Sequence, residues 1–196
     1  MQESSKSEAR ERVLTAAERL FGERGYNAVS LRDIAAEVGI KHTSLYHHVP
    51  KGKEELYIEV TERRMERYQS GLQTTILLAG SLWLAQLHAA ARWLLAQPPM
   101  HFGRMMQSDM QAISPEAAER LRIVVYRALL SPLESVLTNA LAEQSPSKQR
   151  VSILAGMFLS LIEGISNLPD HFIRGSRDEL LNVMIDLFVN GIKPQK

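Results

Sequence analysis

A pair of short helical patterns joined by a tight turn constrains the fold of this chain more than any other feature of its sequence. Ser30 precedes the first pattern and Gly39 follows it. The apolar face of that pattern is formed by Ile34, Ala35 and Val38. Serine caps the free N–H groups of a starting helix, and glycine adopts the left-handed backbone of a helix end at little cost. Residues 41–49 continue with a second helical pattern, so a helix–turn–helix is predicted.

Helical patterns also flank this pair. Ser5 and Glu8 have the spacing of a capping box, which predicts a first helix from about Lys6 to Arg24, ended by Gly25. Further helices are predicted at about Lys53 to Leu78, Leu82 to Ala96, His101 to Ala112, Pro115 to Leu141, Lys148 to Leu168 and Asp178 to Ile192. The alternating pattern of a β-strand is missing from the sequence. The expected fold is therefore all-α, with a three-helix head, residues 1–52, and a larger helical body, residues 53–196.

Composition excludes several classes of site and location. The sequence contains no cysteine, which rules out disulfides and thiol chemistry and fits a cytoplasmic protein. Its polar start lacks the apolar run of a signal peptide. The most apolar stretch, Ile76 to Ala96, is interrupted by Gln86, His88 and Arg92, so buried helices are expected rather than membrane spans. No nucleophile elbow, phosphate loop or metal-binding His-Glu motif indicates an enzyme, and no cofactor is predicted.

Positive charge is concentrated around the second helix of the pair. The net charge is only +1, yet no Asp or Glu lies between Val38 and Lys53. The basic residues there are Lys41, His42, His47, His48, Lys51 and Lys53. A nucleic-acid surface needs such local charge, although a basic stretch is more often a solvated face. The three histidines also resemble a metal cluster superficially, but they lack an acidic or thiol partner, which disfavours zinc.

The segment from Phe21 to Leu56 carries a spaced signature. Its elements are Leu20-Phe21, Gly25-Tyr26, Ser30, Asp33-Ile34-Ala35, Val38-Gly39, Ser44-Leu45-Tyr46, His48, and Lys53 with Leu56. In these elements the segment resembles the N-terminal domain of the tetracycline-repressor (TetR) family. The resemblance implies a dimeric repressor whose head binds a palindromic DNA operator. It also implies a helical body that dimerises and binds a small-molecule inducer of unknown identity.

Candidate DNA-binding residues follow from these positions. The N-terminus of a helix suits a phosphate, which gives Ser30 a possible contact beside its capping role. Lys41, His42 and Thr43 begin the recognition helix and are candidates for base edges. The remaining candidates, mainly for phosphates, are Ser44, Tyr46, His47, Lys51 and Lys53. Val49 replaces a common Phe and one extra residue precedes Leu56, so the choice between Lys51 and Lys53 stays open.

Candidate sites in the body are an effector pocket and a dimer interface. By resemblance, the pocket is expected among Trp83, His88, Trp93, Met100, His101, Phe102, Met105, Met106, Met110 and Tyr126. Methionine and aromatic side chains form adaptable apolar linings, although at helical spacing they more often belong to the core. Gly156, Ser160 and Gly164 form a small-residue stripe that would let a partner helix approach, or that packs inside one subunit. The interface is expected to add Ile153, Met157, Leu181, Met184 and Phe188.

Three other functions stay open from the residues alone. A transcriptional activator and a nucleoid-type protein would use the same DNA-binding fold. An enzyme would be revealed by turnover of a bound ligand. The interpretation favoured here is a repressor that occupies its operator until an effector binds the body.

Overall fold

The computed structural model describes residues 2–192, with side chains from residue 7 onward. The helices are α1 (Gln2–Arg24), α2 (Leu31–Val38), α3 (His42–Leu45), α4 (Gly52–Leu78), α5 (Trp83–Leu95), α6 (Phe102–Gln107), α7 (Pro115–Val125), α8 (Ser131–Ala140), α9 (Lys148–Asn167) and α10 (Arg177–Ile192). Short 3₁₀ turns occupy Asp109–Gln111, Ala142–Gln144 and Asp170–Phe172, and a π-helical turn, Tyr126–Leu130, joins α7 to α8. No β-strand occurs in residues 2–192. The all-α fold is confirmed.

The chain forms two compact units. The first unit contains the chain up to Met65 and the segment Gly103–Val124. The second unit contains Glu66–Phe102 and the chain from Val125 onward. The predicted boundary at residue 52 does not coincide with the limits of these compact units, and as a boundary between functions it stays a prediction.

The prediction for the start of α1 is wrong. The helix begins at Gln2, so Ser5 lies inside it rather than at its N-cap, and the side chains of residues 2–6 lie outside the described ones. The sequence before Ser5 has no proline or glycine, so nothing stops the helix from extending. Its other end is confirmed. Gly25 has φ +82° and donates its N–H to the Phe21 carbonyl at 2.9 Å.

The recognition helix is shorter than its pattern indicated. α3 covers four residues, and the chain from Tyr46 to His48 continues as a turn. Pro50 disfavours a helical backbone at Val49, so the helix cannot continue through that residue. Lys41 is the N-cap and provides no side-chain hydrogen bond, so the helix lacks the usual cap of Ser, Thr or Asp.

The core of the first unit includes the predicted apolar face of α2. Its buried side chains include Val13, Ala17, Leu20 and Phe21 of α1, Ile34, Ala35 and Val38 of α2, and Leu45, Val49 and Leu56 beyond them. Tyr26 is half-buried beside this core. Its ring packs with those of Phe21 and Tyr57, with centroids 6.1 Å and 5.0 Å away, and those two rings also contact each other at 5.2 Å.

The second unit packs α5, α8, α9 and α10 around an apolar core. Leu87, Leu133, Leu137 and Phe158 are fully buried there. Arg92 of α5 joins α10 at the surface, donating to Asp178 at 2.9 Å and to Asn182 at 3.1 Å. None of the helices in residues 2–192 has the length and hydropathy needed to cross a membrane.

Candidate DNA-binding site

The start of α2 is fixed by a reciprocal cap. The Ser30 hydroxyl accepts the N–H of Asp33 at 3.2 Å, and the Asp33 carboxylate accepts the N–H and hydroxyl of Ser30 at 2.7 Å and 2.6 Å. The capping role of Ser30 is therefore confirmed. The hydrogen bonds from Ser30 lower the pKa of the Asp33 carboxyl, so a negative charge sits at this helix end. Because that charge opposes an incoming phosphate, the phosphate role of Ser30 stays a prediction.

Arg32 supplies a compensating charge that the sequence reasoning missed. It is exposed in the first turn of α2, two residues from Ser30, and pairs with no carboxylate in the described part of the chain. A cation on the exposed face just after a helix cap was the available signal. Arg32 is therefore an additional phosphate-binding candidate.

The turn between α2 and α3 has the backbone that its glycine indicated. Gly39 has φ +75°, and its N–H bonds to the Ala36 carbonyl at 3.2 Å. The N–H of Ile40 bonds to the Ala35 carbonyl at 3.0 Å, and Arg12 of α1 donates to the Val38 carbonyl at 2.8 Å. These bonds satisfy the last carbonyls of α2 and set the direction in which α3 leaves.

The surface of α3 and its following turn presents most of the predicted residues together. Lys41, Thr43, Tyr46 and His47 are exposed, while His42 and Ser44 are half-buried. The rings of His42 and Tyr46 meet edge to face with centroids 5.1 Å apart. Lys41 forms no ion pair with a carboxylate in the described part of the chain. This exposed face, opposite the buried Leu45, offers one cation, hydroxyl groups and imidazoles for contacts to DNA.

The structure gives the two candidate lysines different surroundings. The Lys51 side chain is 75% exposed and lies 3.7 Å from Glu55. Lys53 is half-buried, with its Nζ 4.1 Å from the centroid of the Tyr26 ring. Burial lowers the pKa of Lys53, while the Asp109 and Asp33 carboxylates oppose that shift. Lys53 is thus held against the protein and Lys51 extends into solvent, and the choice between them stays a prediction.

Few of the effector candidates come together. Met100 and Phe102 line one pocket of the second unit, with a volume of about 40 Å³, beside Tyr68 and Gln97. Trp93 packs edge to face on Tyr68, with ring centroids 5.4 Å apart. A drug-sized ligand needs a pocket of roughly 300 Å³ or more, so this one would have to open.

The other effector candidates lie elsewhere. Met105 and Met110 are buried in the first unit, which also contains the half-buried Met106. Tyr126 is 43% exposed and donates its hydroxyl to Glu134 at 2.6 Å. Trp83, His88 and His101 are half-buried, and the Nδ1 atom of His88 is buried without a hydrogen-bond partner among the described residues. The effector site stays a prediction.

The predicted dimer face is largely exposed. Ile153 and Met157 are 54% and 52% exposed, and Ser160 and Gly164 are also at the surface. A Cβ atom added to Gly156 or Gly164 would meet no described atom within 4 Å, so the small-residue stripe does not pack inside its own unit. α9 and α10 enclose an apolar groove of about 470 Å³ lined by Leu154, Met157, Leu161, Leu180, Val183, Met184, Leu187, Phe188, Gly191 and Ile192.

One interface residue is corrected. Leu181 is fully buried within the second unit and is unavailable to a partner. Met184 and Phe188 are also largely buried, although they line the groove. On α10 the exposed apolar side chains are instead Val183 and Leu187, at 55% and 70%. Helical periodicity marked an apolar stripe but did not show which edge of it faced outward.

The described residues hold no group of three His, Asp or Glu side chains arranged to bind a metal ion. His42, His47 and His48 therefore do not form a site by themselves.

Comparisons with known proteins agree with this geometry. The family described as "Bacterial regulatory proteins, tetR family" matches residues 13–60. The uncharacterized HTH-type transcriptional regulator YxaF of Bacillus subtilis (strain 168) is 48% identical over 56 residues, which are 29% of this chain and 29% of that protein. The sequence match therefore spans less than a third of that relative's length.

Two solved structures share the fold over nearly the whole chain. AibR, solved in complex with isovaleryl coenzyme A and operator DNA, is 18% identical with a TM-score of 0.73, covering 91% of this chain and 97% of its own. The fatty acid degradation regulator FadR from Bacillus halodurans is 14% identical with a TM-score of 0.71, covering 95% and 97%. Because the family model matches the helix–turn–helix with its flanking helices, residues 13–60 form a DNA-binding head of the tetR family of bacterial regulatory proteins, and the solved structures share the fold of nearly the whole chain.

Proposed function

We propose that this chain is a cytoplasmic transcriptional repressor, without catalytic activity, that binds a palindromic operator as a homodimer and is released by a small molecule. The observation that carries DNA binding is the exposed face of α3, where Lys41, Thr43, Tyr46 and His47 share one surface behind a firmly set turn. A recognition helix held in this way enters a major groove and contacts base edges with its N-terminal residues.

The exposed apolar groove between α9 and α10 supports a dimer. A surface of exposed leucine, valine and methionine side chains is unfavourable in water and is stabilised when a second copy covers it. Two-fold symmetry would place two recognition helices about 34 to 36 Å apart, or a multiple of that distance, on a palindromic site. Sedimentation of wild type and of Leu187→Arg tests this: we expect a dimer and a monomer, respectively, at micromolar concentration. A monomeric wild type would contradict the proposed dimer.

Effector release is proposed partly by analogy with AibR, whose structure contains isovaleryl coenzyme A and operator DNA. An effector weakens operator binding only if it binds the free conformation more tightly than the DNA-bound one. The pocket beside Met100 and Phe102 would open to admit it. Addition of candidate acyl-coenzyme A esters to the protein–DNA complex should lower affinity for DNA if one of them is the effector.

Selection of duplexes from a random pool tests DNA binding directly. We expect the wild-type protein to enrich a palindrome, and a Tyr46→Ala variant to bind that duplex more weakly at every salt concentration. Glu143→Gln, on a surface turn of the second unit, is the control and should bind as wild type does. Uniform binding without sequence enrichment would indicate a nucleoid-type protein and overturn the repressor proposal. Activation rather than repression of a reporter promoter would show that the protein is an activator and would contradict the repressor proposal.

A further inference from the structure

A buried carboxylate contacts the turn that leads into the helix–turn–helix. Asp109 is 4% exposed and is the sole charged side chain classed as buried among residues 7–192. Burial of a carboxylate is costly unless hydrogen bonds or an opposite charge compensate for it. The position of Asp109, far along the chain from α2 and α3, therefore calls for a specific set of partners.

Those partners are Tyr26, in the turn that follows α1, and Arg104 of α6. Asp109 Oδ1 accepts the N–H of Tyr26 at 2.9 Å, and its Oδ2 lies 3.8 Å from Arg104 Nε. Arg104 in turn donates to the carbonyl of Glu23 at 3.0 Å, to that of Phe21 at 3.4 Å, and to that of Gly22. The guanidinium thus satisfies carbonyls that the end of a helix leaves unpaired, where a cation is favoured.

Gly25 permits this close approach. A Cβ atom at Gly25 would lie 2.9 Å from Asp109 Oδ1 and 3.1 Å from Arg104 Nε. Its φ of +82° also belongs to the left-handed region, which disfavours other residues. The turn therefore leaves room for Asp109 and Arg104. We call these two residues the turn anchor.

The turn anchor is connected to the DNA-binding surface through Tyr26. The backbone of Tyr26 is held by Asp109, and its ring supports the Lys53 ammonium at 4.1 Å from the centroid. The carbonyl of Tyr26 also accepts the N–H of Val29 at 3.4 Å, immediately before the cap of α2. A shift of this turn would move both the Lys53 ammonium and the start of α2.

We propose that Asp109 and Arg104 are positioning residues for DNA binding, which hold the Gly25–Tyr26 turn so that the Tyr26 ring presents Lys53 to a backbone phosphate. The inference rests on the proposed function. It assigns the phosphate contact to Lys53, with Tyr26 as its platform. It also extends the DNA-binding machinery to a segment outside the helix–turn–helix sequence.

The test measures the salt dependence of binding to the duplex that wild-type protein selects from a random pool. Loss of one phosphate contact reduces the slope of log affinity against log salt by about one. We expect Lys53→Gln, Tyr26→Leu and Asp109→Ala each to show this reduction, with affinity about three- to tenfold lower. Tyr26→Phe, which keeps the aromatic ring, should show the wild-type slope. Asp109→Ala combined with Lys53→Gln should lower the slope no further than either change alone.

A purely structural role for Asp109 predicts a different result. The control is Ile113→Ala, which removes a buried apolar side chain from the same unit and lowers stability without altering the turn anchor. It should leave the slope unchanged at a temperature where circular dichroism shows it folded. A wild-type slope in folded Asp109→Ala would overturn the proposal.

If Asp109→Ala does not fold, Tyr26→Leu and Tyr26→Phe provide the test. Both substitutions keep the Asp109 side chain and the Tyr26 N–H that it accepts. A wild-type slope in Tyr26→Leu would then overturn the proposal. Failure of the proposed function is a separate outcome: the wild-type protein itself would select no duplex.

Discussion

The turn around Gly39 in the first unit and the packing around Trp93 in the second unit are fixed by contacts of different range. Gly39 is set by hydrogen bonds to Ala36 and Ala35, its near neighbours in the sequence. Trp93 of α5 instead packs against Tyr68 and Gly71 of α4, and the Tyr68 hydroxyl donates to the Pro98 carbonyl, 30 positions away, at 3.2 Å. The first arrangement is encoded locally, whereas the second depends on how separate helices meet.

A methyl group at Gly71 should give the largest effect, because it tests the long-range arrangement. The added Cβ would overlap Trp93 Cζ2, so the ring or the helix must move. Overpacking of this kind costs about 1–3 kcal/mol. We expect Gly71→Ala to lower the free energy of unfolding measured with urea by that amount, despite the better helix propensity of alanine.

The combination with Trp93→Leu is the control for Gly71→Ala. Removal of the indole ring should abolish the cost, so that Gly71→Ala becomes neutral or favourable in that background. A cost that persists without the ring would show that packing against Trp93 does not determine the geometry here.

The corresponding change at Gly39 tests the local arrangement. A Cβ there would meet no described atom within 4 Å, so its cost comes from the backbone at φ +75° alone. The left-handed region costs an L-residue roughly 1–2 kcal/mol, and Gly39→Ala should destabilise the first unit by that amount. Gly103→Ala is the matched control in α6, where space is also open and the backbone is not left-handed. It should be neutral or stabilising, and equal losses at both positions would contradict a backbone origin.

The same contrast explains what sequence could predict. The structural roles of Ser30 and Gly39 follow from their own side-chain and backbone chemistry, so the ends of α2, the turn and the buried face of α2 were predicted correctly. Ser5 had the same capping chemistry without a helix end to cap, because the residues before it also adopt a helix. A cap motif therefore locates a helix start only where the preceding chain leaves the helix.

The sites of the body depended on long-range contacts that no short motif encodes. The ten effector candidates were chosen by residue type, and the two compact units divide them. On α10, Leu181 is fully buried and Leu187 is 70% exposed, although their residue type is the same. The Asp109 contact with Tyr26 joins residues 83 positions apart and left no periodic signal.

The caps of α2 and α9 allow a smaller and more closely matched comparison. Ser30 accepts the N–H of Asp33 at 3.2 Å, and Ser147 accepts that of Arg150 at the same distance. Both serines are exposed, so each substitution by alanine should cost about 1 kcal/mol in thermal unfolding. If Ser30 also contacts a phosphate, Ser30→Ala should weaken DNA binding while Ser147→Ala should not. Equal DNA affinity for the two variants would leave Ser30 with its capping role alone.

The smallest expected effect concerns the Asp33 carboxyl, whose pKa the Ser30 hydroxyl and N–H lower from its ordinary value of 3.8. Because the folded state favours the charged form, this contribution to stability is complete above the ordinary pKa and is lost as the pH falls through the lowered one. Asp33→Asn should therefore be less stable than wild type at pH 7, with the difference in melting temperature narrowing as the pH falls below the ordinary pKa of 3.8. Repeating the substitution in the Ser30→Ala background removes the largest cause of the shift, so the pH-dependent difference should shrink. An unchanged difference in both backgrounds would show that the pKa shift of Asp33 originates outside the cap. It would also contradict the conclusion that local contacts set this end of α2.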